Sequence, residues 1–187
     1  MTSDSHLAAA TLSDLVRAFR NYKALGEGAM RQVSDADLHR QLDPDANSLA
    51  IIVRHIGGNL RSRFTDFLTS DGEKPDRHRD GEFEATGAES RDEVMRWWNA
   101  GWTAALESID ALSPADLDRT IHIRGEAFLV VEALNRSATH TAYHVGQIVM
   151  LAKSFAGTNW TSLSIPKGQS AQFGRGSYKD GIIPRRR

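Results

Sequence analysis

The clearest structural signal in the chain lies in residues 135–153, NRSATHTAYHVGQIVMLAK. Apolar side chains recur there every three or four residues, the period of an amphipathic α-helix, and Gly157 is a normal C-terminal stop. The spacing predicts a helix over residues 130–155. His140 and His144 stand four residues apart on it, so their imidazoles project from one face, within reach of one ion.

A second stretch, SLAIIVRHIGGN at residues 48–59, has the same period and carries a third histidine, His55. Ser48 is a plausible N-cap, and the pattern predicts a helix from there to Leu68. Apolar spacing predicts two more helices, over residues 7–33 and 90–112. Four long helices therefore account for most of the chain.

The connections between these helices differ in character. Residues 69–87 form a long polar segment, TSDGEKPDRHRDGEFEATG, typical of either a functional loop or a linker. Residues 120–124 alternate apolar and polar side chains, and Gly125-Glu126 could turn a short hairpin. The predicted fold class is all-α: a four-helix bundle with a short hairpin between helices three and four and an extended C-terminal tail.

A weak internal echo links residues 33–38 and 112–117, VSDADL and LSPADL, which follow the first and third helices. Both segments look like capped helical turns. An ancestral duplication and a common capping solution are both open explanations.

Composition excludes several classes of protein. The 187 residues suit one domain. The absence of cysteine rules out disulfides, thiolate metal sites and iron–sulfur clusters. A net charge of -1 argues against a broad nucleic-acid-binding face. The sequence has neither a signal-peptide apolar core nor an apolar run long enough for a membrane span, so we expect a cytoplasmic protein with no membrane partner.

The last 28 residues differ from the rest of the chain. Residues 160–187 carry six basic side chains and one acidic one, a charge of +5, which leaves -6 for residues 1–159. We treat residues 1–159 as the bundle and residues 160–187 as a basic tail of the same domain. Apolar anchors from Trp160 to Phe173 predict that this part packs on the bundle or on a partner subunit, while the three terminal arginines are expected to be solvated.

Three of the seven histidines could carry chemistry. Chance alone supplies about 0.26 histidine pairs four residues apart, so spacing needs support from context. Helical-wheel positions place His55, His140 and His144 beside the apolar stripes of their helices, where side chains line a cleft. If they converge, three neutral imidazoles form a tripod for Zn²⁺ or Ni²⁺ with an open position for water or substrate.

The alternative is that these are three boundary histidines, each hydrogen-bonded to a carbonyl. Polar residues that share the histidines' faces could orient the rings. On the face of His55 these candidates are Asn59, Ser48 and Ser62. On the face of the other two histidines they are Ser137 and Gln147.

Other motifs are absent or weaker. The run HTAYH lacks the glutamate of H-E-x-x-H, which disfavours a zincin-type peptidase, and no phosphate-binding glycine motif occurs. Trp97, Trp98 and Trp102 could stack a ligand, but their helical spacing favours a core and subunit-interface role.

The H-x-x-x-H-x-G-Q run and the SLAIIVRHIGGN segment together resemble the DinB-like superfamily of metal-binding four-helix proteins. Three further stretches, DGEKPDRHRDGEF, IHIRGE and WTSLSIPKGQSAQF, resemble an uncharacterised branch of it, so the likeness spans about residues 38–173. The resemblance implies one divalent ion, nickel or zinc, on a triad matching His55, His140 and His144. It also implies a homodimer.

Characterised members of the superfamily include thiol S-transferases that use mycothiol, bacillithiol or glutathione, and a maleylpyruvate isomerase; others are labelled metal-dependent hydrolases. The extended tail and the DGEKP loop of this chain do not belong to the characterised transferases.

Two hypotheses of function follow. The first is a metal-dependent enzyme in which the three-histidine site activates a low-molecular-weight thiol for S-transfer or water for hydrolysis, with catalytic residues unassigned. The second is a non-catalytic bundle that acts as a dimerisation or protein-binding module around a structural or lapsed metal site. A third hypothesis is nucleic-acid binding through the basic tail. Whether His122 or Tyr143 approaches the site stays open.

Overall fold

The computed structural model describes residues 3–84 and 87–172, and they form a mostly helical fold with one small sheet. The helices are α1 (Ser3–Met30), α2 (Asp35–His39), α3 (Leu49–Phe64), α4 (Arg91–Asp110) and α5 (Val130–Ala156). The strands β1 (Thr120–Ile123) and β2 (Glu126–Leu129) form the sheet. The predicted all-α class is therefore broadly confirmed, whereas the four-helix bundle matches only loosely because a fifth, short helix and the hairpin interrupt it.

Serine caps mark where the helices begin. The Ser48 hydroxyl accepts a hydrogen bond from the Ile51 amide, and Ser90 forms a capping box with Glu93. The two echo segments, VSDADL and LSPADL, both contain capping boxes. These local bonds explain why the starts of α3 and α4 agree with the sequence to within a residue.

The predicted ends of the helices agree less well with the structure than the predicted starts of α3 and α4. The prediction that α3 continues to Leu68 is wrong: the helix ends at Phe64, and Asp66 adopts a left-handed φ of 50°. Helix α1 is displaced by three or four residues from its predicted bounds. Such ends depend on caps that apolar spacing does not report.

The four long helices surround one core. Helix α1 contacts α4 and α5, and α3 contacts the same two helices. Trp98 and Trp102 are fully buried, and Phe19 packs edge-on against Trp102 with ring centroids 6.3 Å apart. The core role predicted for these two tryptophans is confirmed; Trp97 is only partly buried and lies beneath the guanidinium of Arg54.

Helices α3 and α4 approach each other backbone to backbone. A Cβ added to Gly101 would lie 2.5 Å from the carbonyl oxygen of Gly57, which is closer than real Cβ atoms come. Two glycines facing each other therefore allow this crossing. The crossing fixes the position of α3, which carries His55.

The predicted hairpin exists, but its turn lies one residue earlier than Gly125-Glu126. Strands β1 and β2 pair antiparallel with Ile123 opposite Glu126, so Arg124 and Gly125 form the two-residue turn. Both have positive φ, 57° and 76°, as a type I′ turn requires. The Asp71 carboxylate accepts hydrogen bonds from both turn amides, at 2.8 and 2.7 Å, and so ties the long polar connection to the hairpin.

The segment after α5 packs on the bundle as far as the structure describes it. Trp160 and Leu163 lie against the core, and Thr161 exchanges hydrogen bonds with the side chain of Gln32. Phe173 and the basic residues from Arg175 onward, named in the sequence prediction, lie outside the described residues. In the described part of the chain, no helix combines the length and apolar character that a membrane crossing needs.

Candidate metal centre

The structure brings the three predicted histidines together between α3 and α5. His55 Nε2 lies 3.2 Å from His140 Nε2, and one ring nitrogen from each of the three residues falls within 4.8 Å of the other two. The ring centroids of His140 and His144 are 4.6 Å apart, consistent with their spacing of four on one helix face. Their role as metal ligands remains a prediction.

His55 is more buried than its helical-wheel position suggested. Only 4% of its surface is exposed, whereas His140 and His144 are partly buried. The difference comes from the long polar connection, which folds over α3 and places Phe83 against His55 with ring centroids 4.8 Å apart. Residues distant in sequence, not the position on α3, therefore close this side of the cluster.

Two of the three imidazoles are oriented by hydrogen bonds at Nδ1. His55 Nδ1 lies 2.8 Å from Glu82 Oε2, and His144 Nδ1 lies 2.8 Å from Gln147 Oε1. Because a carboxylate and an amide oxygen only accept, each Nδ1 carries the proton. In the neutral ring, Nε2 then presents its lone pair, which is the state a metal ligand needs.

Glu82 is itself held in place by an arginine. Its carboxylate accepts from Arg77 Nε at 2.8 Å and from Arg77 Nη2 at 2.9 Å. Burial works to raise the pKa of Glu82, but the hydrogen bonds from His55 and Arg77 outweigh it and hold the pKa below its usual value. Glu82 is therefore an ionised acceptor for His55. A Cβ on Gly58 would lie 2.2 Å from Glu82 Oε1, so the absence of a side chain at residue 58 makes room for the carboxylate.

The sequence did not identify Glu82, Arg77 or Phe83 as site residues. A buried histidine that ligates metal generally needs an acceptor at its second nitrogen, so an acidic partner was to be expected. Spacing could not select it, because Glu82 is 27 residues from His55 and lies in a short 3-10 helix, Asp80–Phe83, within the long polar connection.

The electrostatics keep the exposed side of the cluster neutral. Burial lowers the pKa of His140 to about 4, and the neighbouring His144 and His55 rings add to this effect. Burial also lowers the pKa of His144, although its hydrogen bond to Gln147 opposes the shift. Both rings are therefore uncharged at neutral pH, with nitrogen lone pairs available for coordination.

The donor set fits a late divalent metal. Zn–N bonds of about 2.0–2.1 Å in a tetrahedral site separate neighbouring nitrogens by about 3.3 Å. The 3.2 Å between the Nε2 atoms of His55 and His140 is close to this separation, and a ring nitrogen of His144 lies within 4.8 Å of a ring nitrogen of each. Within residues 3–84 and 87–172 the cluster has no fourth histidine or carboxylate, so a coordination position is available for water or another ligand.

Residues 6–169 match the model of a family described as a protein of unknown function, DUF1572. The chain belongs to the DUF1572 family. The match spans all three histidines and the segment that supplies Glu82. No curated protein matches the chain in sequence. Family membership therefore places the site within a known family but attaches no activity to it.

The remaining predicted residues of this DUF1572 protein fall into two groups. Gln147 orients His144 as described, and Asn59 and Ser137 line a cavity beside His55 and His140. The hydroxyls of Ser48 and Ser62 bond elsewhere: Ser48 caps α3, and Ser62 donates to the Gly72 carbonyl. Neither serine therefore orients an imidazole through these hydrogen bonds, which go to backbone groups.

The two residues left open by the sequence also separate. The ring of Tyr143 packs against His144 with centroids 4.8 Å apart, and 63% of Tyr143 is exposed. His122 lies on β1, outside the three-histidine cluster, and its backbone carbonyl accepts from the Gly72 amide. Tyr143 therefore borders the cluster and His122 does not.

Proposed function

We propose that this protein is a DinB-like metal-dependent enzyme whose three-histidine site holds one nickel or zinc ion. In this proposal the site activates a low-molecular-weight thiol for S-transfer or a water molecule for hydrolysis. The observation that carries it is the convergence of three imidazoles, two of them oriented at Nδ1 so that Nε2 carries the lone pair. The DUF1572 match and the H-x-x-x-H-x-G-Q run support the same assignment.

The residues would divide the work as follows. A bound divalent ion supplies Lewis acidity, which lowers the pKa of a coordinated thiol or water. His55, His140 and His144 hold it. Glu82 and Gln147 keep two of the rings in the required tautomer, and Phe83 covers His55 and excludes water from that side.

A second candidate is a non-catalytic module that dimerises. Tyr143 and Met150 are 63% and 59% exposed and lie seven residues, about two turns, apart on α5. Large exposed apolar side chains on one helix face favour a protein contact. In this reading the metal serves stability, and a homodimer is the expected partner.

Metal content measured by mass spectrometry tests whether the three histidines hold an ion. We expect about one equivalent of zinc or nickel in the untagged wild type and little in His144→Ala, because three ligands define the site. His122→Ala is the matched control, since His122 is exposed and outside the cluster. No metal in the wild type, even after reconstitution with Zn²⁺ and Ni²⁺, would overturn the proposal.

Metal removal then separates the two candidates. For the enzyme, chelation abolishes turnover of a thiol with an electrophile, or of a hydrolysable ester, and zinc restores it. For the module, chelation lowers the melting temperature and no turnover occurs with or without metal.

A further inference from the structure

A cavity of about 180 Å³ adjoins the histidine cluster, and its lining is strongly basic. His55 and His140 form part of the wall. The lining contains no Asp or Glu. Five other lining residues are arginines: Arg63, Arg77, Arg79, Arg124 and Arg136.

Nearby carboxylates that do not line the cavity neutralise only part of the positive charge of these arginines. Arg63 and Arg124 both bond to Glu73, and Arg77 bonds to Glu82. Two negative carboxylates are therefore paired with three positive guanidinium groups. Burial lowers the pKa of Arg63; its ion pair with Glu73 opposes the shift, and the nearby charges of Arg77 and Arg124 add to it. The cavity is thus a site of excess positive charge.

The other two of these five arginines are at most weakly paired with acidic side chains. The guanidinium of Arg136 lies over the Phe128 ring at 5.4 Å and, among the described residues, makes no hydrogen bond or ion pair. Arg79 comes only within 3.6 Å of Asp80, whose side chain is almost fully exposed. Their N–H groups are available to a ligand that carries negative oxygens.

A buried hydroxyl points to the same kind of ligand. Ser137 lines the cavity, is only 7% exposed, and its Oγ has no hydrogen-bond partner among the described residues. Leaving a buried donor unpaired costs free energy, which a bound oxygen would recover. Asn59 offers a further amide group in the same wall.

We propose that this cavity is an oxyanion subsite that binds a carboxylate or phosphate group of the substrate. The assignment of the anion to a substrate rests on the proposed metal-dependent function, because His55 and His140 belong both to the cavity wall and to the metal centre. The volume admits one small acidic group, since whole drug-sized ligands occupy about 300–1,000 Å³. The substrate class is therefore a small acid whose reacting end meets the metal.

Calorimetric titration of the full chain with sodium phosphate, and separately with sodium succinate, tests the proposal. Metal-free and zinc-loaded protein are compared in the same chloride buffer. We expect saturable binding of at least one anion to both forms, and the preferred anion identifies the acidic group. Arg136→Gln should weaken anion binding about tenfold, because it removes a charge-assisted hydrogen bond to the anion. The fold should be unaffected, since the Arg136 side chain is exposed.

Two further variants sharpen the result. Ser137→Ala, which conserves the packing but removes the hydroxyl, should weaken binding several-fold. Arg96→Gln is the matched control: its side chain is 71% exposed, it does not line the cavity, and it should bind like the wild type. Equal anion affinity in the wild type, Arg136→Gln and Ser137→Ala would overturn the subsite.

The outcomes also separate this inference from the metal proposal. Anion binding by a protein that takes up no metal supports the subsite while the metal centre fails. Metal uptake with no anion binding in either form overturns the subsite while the metal centre stands. Binding seen only with zinc, and unaffected by Arg136→Gln, means that the anion sits on the metal alone and overturns the subsite.

Discussion

Replacing Glu82 by glutamine should weaken metal binding about tenfold without unfolding the protein. Glu82 accepts the Nδ1 proton of His55 at 2.8 Å in a buried setting. A hydrogen bond to a charged group contributes about 1.5–3 kcal/mol and a neutral one about 0.5–1.5 kcal/mol, so removing the charge costs about 1–1.5 kcal/mol at His55. That difference is about tenfold in Kd, at the lower edge of the range for groups that orient metal ligands.

The assay is competition for Zn²⁺ between the protein and a chromophoric chelator. Glu73→Gln is the control, because Glu73 belongs to the same ionic network and bonds to Arg63 and Arg124, but contacts no histidine of the cluster. Both variants should lower the melting temperature, and only Glu82→Gln should raise the zinc Kd. Zinc Kd values within twofold of the wild type for both variants would refute the orienting role of Glu82.

Four further changes have expected outcomes. Gly58→Ala places a Cβ 2.2 Å from the Glu82 carboxylate and should raise the zinc Kd about tenfold, whereas Gly146→Ala, which meets nothing within 4 Å, should leave it unchanged in the same competition assay. Gly101→Ala should lower the free energy of unfolding by about 1–3 kcal/mol in urea, because its Cβ would meet the facing backbone of α3 at 2.5 Å; no loss would contradict the close crossing. Asp71 accepts backbone hydrogen bonds, chiefly from the residue 73 amide, that lower its pKa from 3.8 to about 2, so its stabilisation is present above pH 3.8 and is lost as the pH falls toward 2. Asp71→Asn should therefore differ from the wild type more at pH 5 than at pH 2.5 in urea unfolding, and an equal difference at both would argue against it.

The 71–84 segment links the hairpin to the histidine cluster through charged side chains. Asp71 binds the turn amides, and Glu73 bonds to Arg63 and Arg124. Glu82 completes the path to His55. These bonds hold the segment over α3 although it has little regular secondary structure.

Local patterns in the chain were enough for the helices and for the candidate ligands. Apolar periodicity located all four long helices, and the N-cap Ser48 located the start of α3, because caps and amphipathic faces involve neighbours within a few residues. The spacing of four placed His140 and His144 on one face, and the helical-wheel position of His55 beside the apolar stripe of its own helix added the third candidate. Helix ends and the hairpin turn were less accurate, since single residues such as Asp66 and Arg124 decide them.

The orientation of the site and its charge came from the folded chain. The protein has 24 acidic residues, and nothing local distinguishes Glu82 from the others as the partner of His55. Its selection depends on Gly58, which leaves space, and on Arg77, which holds the carboxylate. The basic cavity likewise collects arginines from α3, the polar connection, the hairpin turn and α5. Helical and turn preferences act over a few residues, whereas these contacts join positions tens of residues apart and exist only once the helices have packed.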